Sequence, residues 1–392
     1  MNGLGRGRQR GLLGVVAALL LVVLALTGCD DIGLTTEQAG GGPVAMFRAN
    51  PQRTGVYDTP GLPQFEAVKW QFEAGDWIFG APAVVGDLVV AVSYDGNAYA
   101  LDRETGEERW RYETGDSILA SSAVANDLVI IASLDTTIYA LDLATGEVRW
   151  QVAGSGNYTG SPAVVGDTVY LDSESGLLLA LETATGRERW RFETPGDSMP
   201  FSVAVAEGTV YTIGGSGTVY ALNADDGSEQ WRYLPAEGLA DRYSPTASLV
   251  FDDGTLYLTL TNIESQTVML ALDVATQTVR WQHQSQAESF SAPSVAGSRL
   301  VFGSLDGYVY ALRKETGAPL WSFRTGGIIF AAAAITDNTV YIGSADKTLY
   351  ALDASTGLVL WQFEALGGVS SPVVADRVVY VGDDAGTLYA LR

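Results

Sequence analysis

Eight tryptophans divide most of this chain into near-equal parts. They are Trp70, Trp110, Trp150, Trp190, Trp231, Trp281, Trp321 and Trp361, at steps of 40, 40, 40, 41, 50, 40 and 40 residues. A fixed period of this length signals a repeat architecture, in which each unit leaves apolar surface that only its neighbours cover. Two further markers keep the same phase. One is an aromatic or aliphatic residue followed by Ala-Leu, as in Tyr99-Ala100-Leu101, Tyr139-Ala140-Leu141 and Tyr389-Ala390-Leu391. The other is a Thr-Gly turn ahead of the tryptophan, as at Thr105-Gly106, Thr145-Gly146 and Thr356-Gly357.

Each unit reads as four short strands. Ser161 to Val165 is a first strand, Gly166-Asp167 a tight turn, and Thr168 to Leu171 a second strand. A third strand, the Thr-Gly turn and a fourth strand carrying Trp190 follow. Short β-rich runs separated by turn residues mean an all-β fold, and no helical stripe survives the glycines. One four-stranded sheet cannot bury both faces, whereas eight arranged radially can. The spacing therefore predicts an eight-bladed β-propeller of four-stranded antiparallel blades. The tryptophans fall on the outermost strand, where the wedge between blades is widest. Ala, Ser and Gly fall on the first strand, nearest the axis. The last unit stops at Leu391-Arg392 after its third strand. An N-terminal strand at about 68–73 is expected to complete it and close the ring, which removes sheet edges.

The repeat accounts for residues 68–392. Ahead of it, Arg6, Arg8 and Arg10 precede an apolar run from Gly11 to Thr27 and then Leu26-Thr27-Gly28-Cys29. A basic region, an apolar core and small residues are the marks of an export signal. The segment resembles a bacterial lipoprotein signal, which implies cleavage before Cys29 and lipid attachment to its thiol. Cys29 is the only cysteine in the chain. The expected organisation is a signal peptide at 1–28, a flexible tether at 29–43, a non-repeat segment at 44–67 packing on the propeller, and the propeller at 68–392. The protein is then extracytoplasmic, anchored through Cys29 to the cell membrane or outer membrane, and monomeric.

The blade ending at Trp281 is ten residues longer than the period. The extra length is placed as about two residues in 235–243 and about eight in 261–267. Both loops emerge on one face of the ring, and insertions gathered on one face mark a working surface. Candidate partner-binding residues there are Trp77, Tyr158, Glu237, Asp241, Tyr243, Glu264 and Glu288. Asp76, Asp95, Asp116, Asp135, Asp306, Asp346 and Asp383 make the same face acidic. Catalytic, cofactor-binding and metal-ligating residues are read as none. His283 is the only histidine, too few for a zinc cluster or a histidine triad. No phosphate-binding glycine loop occurs. A formal charge of −23 argues against nucleic acid.

The run Ser304-Leu305-Asp306-Gly307-Tyr308-Val309-Tyr310-Ala311-Leu312, with Thr316-Gly317 and Trp321, resembles the PQQ-like (pyrroloquinoline quinone-type) propeller repeat. The opening Met46-Phe47-Arg48 to Thr54-Gly55 looks like the preface common in that family. The resemblance covers 68–392 and implies two branches. One resembles the BamB-type lipoprotein, a scaffold in outer-membrane protein assembly. The other holds quinoprotein dehydrogenases that bind PQQ and calcium. The lipid anchor and short loops favour the first branch. The expectation is a non-enzymatic cell-envelope scaffold that binds protein partners without a cofactor. The alternatives are a PQQ- and calcium-dependent dehydrogenase, or an extracytoplasmic module that binds or senses a sugar or polymer.

Overall fold

The computed structural model describes residues 45–194, 198, 201–235, 243–262 and 264–392. Cys29, the signal segment, the tether, Glu237 and Asp241 lie outside the described residues. Eight separate antiparallel sheets form, each running outward from first strand to fourth. In the first blade these are Ala83–Val85, Leu88–Val92, Asn97–Asp102 and Glu108–Glu113. Burial follows position. The second strand Leu88–Val92 is buried at every residue, because neighbouring blades cover both its faces. The fourth strand Glu108–Glu113 buries only Trp110 fully. In the last blade Val373–Ala375, Val378–Gly382 and Thr387–Leu391 are joined by Val68–Glu73, with Trp70 opposite Ala390 and Phe72 opposite Leu388. The ring is closed by the N-terminal strand, as the repeat predicts.

The period is held by one contact between blades. Gly146 has φ +73°, and a Cβ there would lie 2.7 Å from the Trp110 ring. The indole N–H donates to the Leu143 carbonyl of the same turn at 2.9 Å. Trp70, Trp150, Trp190, Trp281 and Trp321 repeat both features against Gly106, Gly186, Gly227, Gly317 and Gly357. Trp361 faces the closing blade, whose third and fourth strands come from opposite ends of the chain. There the Leu62 carbonyl accepts the indole N–H at 2.7 Å. In the long blade Gln277 takes the left-handed position, φ 55°, and Trp231 of the preceding blade is only half-buried.

That long blade differs from expectation. Trp231 to Val250 spans 19 positions where Trp190 to Ala204 spans 14, and Thr255 to Ala271 spans 16 where Thr209 to Ala221 spans 12. The inserted length is therefore shared between the two loops. It extends the second strand to Thr255–Asn262, and Tyr243–Pro245 pairs with that extension. This sheet has five strands, and four-stranded blades make up the rest.

Residues 45–57 run inside the ring of first strands. Each first strand has an edge turned to the axis, and this segment answers it in five blades. The carbonyls of Ala45, Pro51, Gln52, Thr54 and Gly55 accept N–H bonds from Val124, Val205, Phe251, Val295 and Ile335, each in a different blade. Val56 forms a parallel bridge to Ile335. Arg53 is fully buried and donates to the carbonyls of Val203, Phe47 and Ser161 at 2.7–2.9 Å. Its charge is felt by Asp172, a buried carboxyl on the second strand of the third blade. Thr212 donates to Asp172 Oδ2 at 3.1 Å, and Oδ1 has no partner. Burial pushes this carboxyl up to about 8.

Two outcomes follow for stability. Gly146→Ala meets both a left-handed backbone and the Trp110 ring, whereas Gly166→Ala meets only φ +58° with open space around it. Urea unfolding should show a loss of about 2 kcal/mol or more for the first and about 1 kcal/mol for the second. Asp172 stays protonated in the fold while the unfolded chain ionises near pH 3.9, so its contribution to stability falls as pH rises from about 4 to 8. Asp172→Asn should therefore be near neutral at pH 4 and stabilising by about 2–5 kcal/mol at pH 8. Urea titrations at the two pH values check the sign.

Candidate binding cup on the propeller axis

The loops that carry the chain from one blade's outer strand to the next blade's first strand descend to the axis. In four of them a fully buried residue is followed by one that faces the axis. Ile78, Ile118, Tyr158 and Ile329 are fully buried, and the residues after them turn towards the axis: Phe79, Leu119, Thr159 and Phe330. Two residues further on lies a girdle of serines. The N–H of Ala81 donates to Ser121 Oγ at 2.9 Å, that of Ser121 to Ser161 Oγ at 3.0 Å, and that of Ser161 to Ser202 Oγ at 2.8 Å. The N–H groups of Ser202 and Ala332 donate to Ser248 Oγ and Ser371 Oγ, both at 3.0 Å. These bonds link successive blades around the axis and fix the loops above them.

The loops enclose a cup of about 730 Å³ on the face that carries the long-blade insertion. Phe47, from the segment threaded through the ring, is part of its lining. Trp77, Phe79, Phe290 and Phe330 line it too, at 48, 50, 44 and 46% exposure, values high for such large rings. Phe290 and Phe330 face each other at 6.2 Å between centroids. The lining is apolar apart from serine and threonine hydroxyls and the turn carboxylates Asp383 and Asp384.

Most of the acidic residues expected to form a binding rim have another task. Asp135 accepts from Gly115 N–H, Thr137 N–H and the Tyr139 hydroxyl at 2.7–2.8 Å. Asp95 does the same with Gly75, Asn97 and Tyr99, and Asp346 with Gly326, Thr348 and Tyr350. Each carboxylate ties its own turn, the tyrosine of its third strand and the loop leaving the preceding blade. Burial pushes the Asp95 carboxyl up, but the bonds from Tyr99, Asn97 and Gly75 outweigh it and hold it below the usual aspartate value. Asp76 and Asp116 are exposed, and the carboxylate of each accepts from its next residue's N–H.

The expected partner-binding residues divide accordingly. Trp77 stands at the cup, 5.7 Å from Tyr94. Glu264 is exposed on the turn of the long blade, and Glu288 is half-buried beside Phe290 in sequence. Tyr243 is placed by its backbone, opposite Asn262 in the added strand. Tyr158 is a correction: it is fully buried among Ala120, Ile138, Trp150 and Leu177, in phase with Ile78 and Ile118. Phe79 and Phe330 were missed. Their signal was available, since Phe79 and Phe330 each follow an isoleucine, Ile78 and Ile329, at the same phase of the repeat.

The donor set does not fit a polyanionic quinone with a divalent cation. A calcium-like ion takes six to eight oxygens, with carboxylates prominent. Asp383 already accepts from Gly367, Ala385, Thr387 and Tyr389, and Asp384 accepts from Gly368. No group of three His, Cys, Asp or Glu suited to a metal occurs among the described residues. Arg53, a cation of the axis, is turned to the carbonyls of Val203, Phe47 and Ser161.

No curated protein matches the sequence. Among solved structures, BamB from Moraxella catarrhalis matches with a TM-score of 0.69 and 19% identity, over 83% of this chain and 99% of that one. A quinohemoprotein alcohol dehydrogenase, ADHIIG, from Pseudomonas putida HK5 matches with a TM-score of 0.75 and 17% identity, over 90% of this chain and 80% of that one. A europium-containing methanol dehydrogenase matches with a TM-score of 0.73 and 16% identity, over 87% and 89%. These likenesses establish the fold. They also correct the expectation that the chain is not an enzyme, because dehydrogenases share this architecture as fully as BamB does. The family model described as outer membrane protein assembly factor BamB matches residues 65–156, 134–290 and 264–392, so the chain belongs to that family of PQQ-like β-propellers.

Proposed function

We propose that the chain is a lipid-anchored envelope protein whose axial cup binds an extended polypeptide segment with apolar side chains flanked by basic ones. The observation that carries this reading is the set of four half-exposed rings, Trp77, Phe79, Phe290 and Phe330, around one apolar cup. Rings presented on a closed, rigid sheet ring lose little freedom on binding and supply contact area cheaply. The exposed carboxylates of Asp76, Asp116 and Asp384 near the mouth, in a chain of charge −23, favour basic flanks. The family description supports a setting in outer-membrane protein assembly, and the Leu26-Thr27-Gly28-Cys29 box supports an extracytoplasmic anchor.

A second reading, oxidation of an alcohol with a quinone held in the same cup, is favoured by the dehydrogenases that share the fold. The donor set of the cup speaks against it. One titration separates the two. A peptide with phenylalanine and leucine between lysine ends should bind, and the Phe290→Ala/Phe330→Ala pair should weaken it about tenfold or more. Unchanged affinity in that variant would overturn the cup as the peptide site. Tight one-to-one binding of PQQ with calcium instead would select the dehydrogenase reading. Separately, Cys29→Ala should move the chain from the membrane to the soluble fraction, unless the uncleaved apolar run itself holds it there. Palmitate labelling of the native chain and its loss in the variant distinguishes the two.

A further inference from the structure

The segment threaded through the ring carries a cation that the protein does not neutralise. Arg48 is fully buried, with φ 61°. Its Nη2 donates to the Pro293 carbonyl and, at 3.0 Å, to Ser294 Oγ. Its Nε and Nη1 have no partner. The charged or titratable groups it feels are Arg53, of like sign, and the phenol of Tyr57, which burial keeps neutral. Asp172 acts on Arg53, and its carboxyl is itself held in the protonated form by burial. Two guanidiniums thus share the axis with carbonyls and hydroxyls as partners. Such oxygens, and water, satisfy N–H groups but bring no compensating charge. Several surface arginines instead pair with carboxylates, as Arg109 does with Asp102 and Arg191 with Glu188.

We infer that a small monovalent anion of the chloride class binds against the unpartnered Nε and Nη1 of the Arg48 guanidinium, as a structural counter-ion. The surroundings are crowded, since a Cβ on Gly55 would lie 2.6 Å from Ser294 Oγ, the hydroxyl that Arg48 engages, and crowding favours a small ion over a large one. Charge favours an anion, since the charged neighbour of Arg48 is Arg53, of like sign, and a neutral occupant would leave both charges uncompensated. The site is separate from the cup, whose lining includes Phe47 but neither arginine. It stands apart from the proposed peptide function and survives that proposal's failure.

The test is thermal unfolding of the full chain in sodium gluconate and in sodium chloride at the same ionic strength, about 0.15 M. Equal sodium in both holds screening of the acidic surface constant. Chloride, bromide and nitrate should each raise the melting temperature by on the order of 2–4 °C over gluconate, which is too large to enter. Arg48→Met should abolish that difference. An equal rise in Arg48→Met would overturn the site. Should that variant fail to fold, crystals of the native chain grown in bromide decide the matter. An anomalous peak in contact with Arg48 supports the counter-ion, and water alone at that position overturns it.

Discussion

The contact between each outer-strand tryptophan and the glycine turn of the next blade is what the rest of the structure depends on. A blade has two apolar faces and no core of its own, so its stability is a matter of what it touches. The indole ring fills the widest part of the wedge, and its N–H reaches a carbonyl that would otherwise be unpaired in a turn. Only glycine admits this, because the turn needs a left-handed residue and the ring lies where a Cβ would be. The two places where the pattern changes show its logic. Leu62 substitutes for the missing turn at the closure. Gln277 takes the left-handed position in place of glycine in the long blade.

Closure of the ring creates a second demand at the axis. Eight short first strands turn an unpaired edge inward, and no ninth strand is available within the repeat. The segment at 45–57 meets that demand by hydrogen-bonding five of them in turn, with four left-handed residues among Arg48, Ala49, Arg53 and Gly55 to follow the curve. Its two arginines reach carbonyls just ahead of the first strands, those of Pro293, Val203 and Ser161. The same segment contributes Phe47 to the cup, so what stabilises the axis also shapes the candidate site.

The acidic face shows how composition misleads when contacts are unknown. Asp95, Asp135, Asp306 and Asp346 recur at one phase of the repeat, and from sequence alone they read as a rim of free charge. In the fold each one holds the hydroxyl of a tyrosine four residues on, at 2.6–2.7 Å. That pairing was legible in principle from the constant Asp-to-Tyr spacing, as in Asp95 and Tyr99. Its third member, the N–H of a glycine twenty residues earlier in the preceding blade, was not. Tyr158 was misplaced for a related reason. An aromatic residue in a surface loop reads as exposed until its register is compared with Ile78 and Ile118.

Blade number, strand order within a blade, the tryptophan wedge and the closing strand were all determined by the sequence itself. Each rests on spacing that repeats, and a repeat states the same local answer many times over. The division of the long blade's insertion, the five-stranded sheet, the path of residues 45–57 along the axis and the convergence of Trp77, Phe79, Phe290 and Phe330 on one cup were decided by the tertiary structure. These features join residues from different blades, up to some 250 positions apart in the chain, and their meeting depends on how eight sheets close rather than on how any one is built. The same reason separates fold from function here: the period specifies the ring, and a ring of this kind carries assembly factors and dehydrogenases alike.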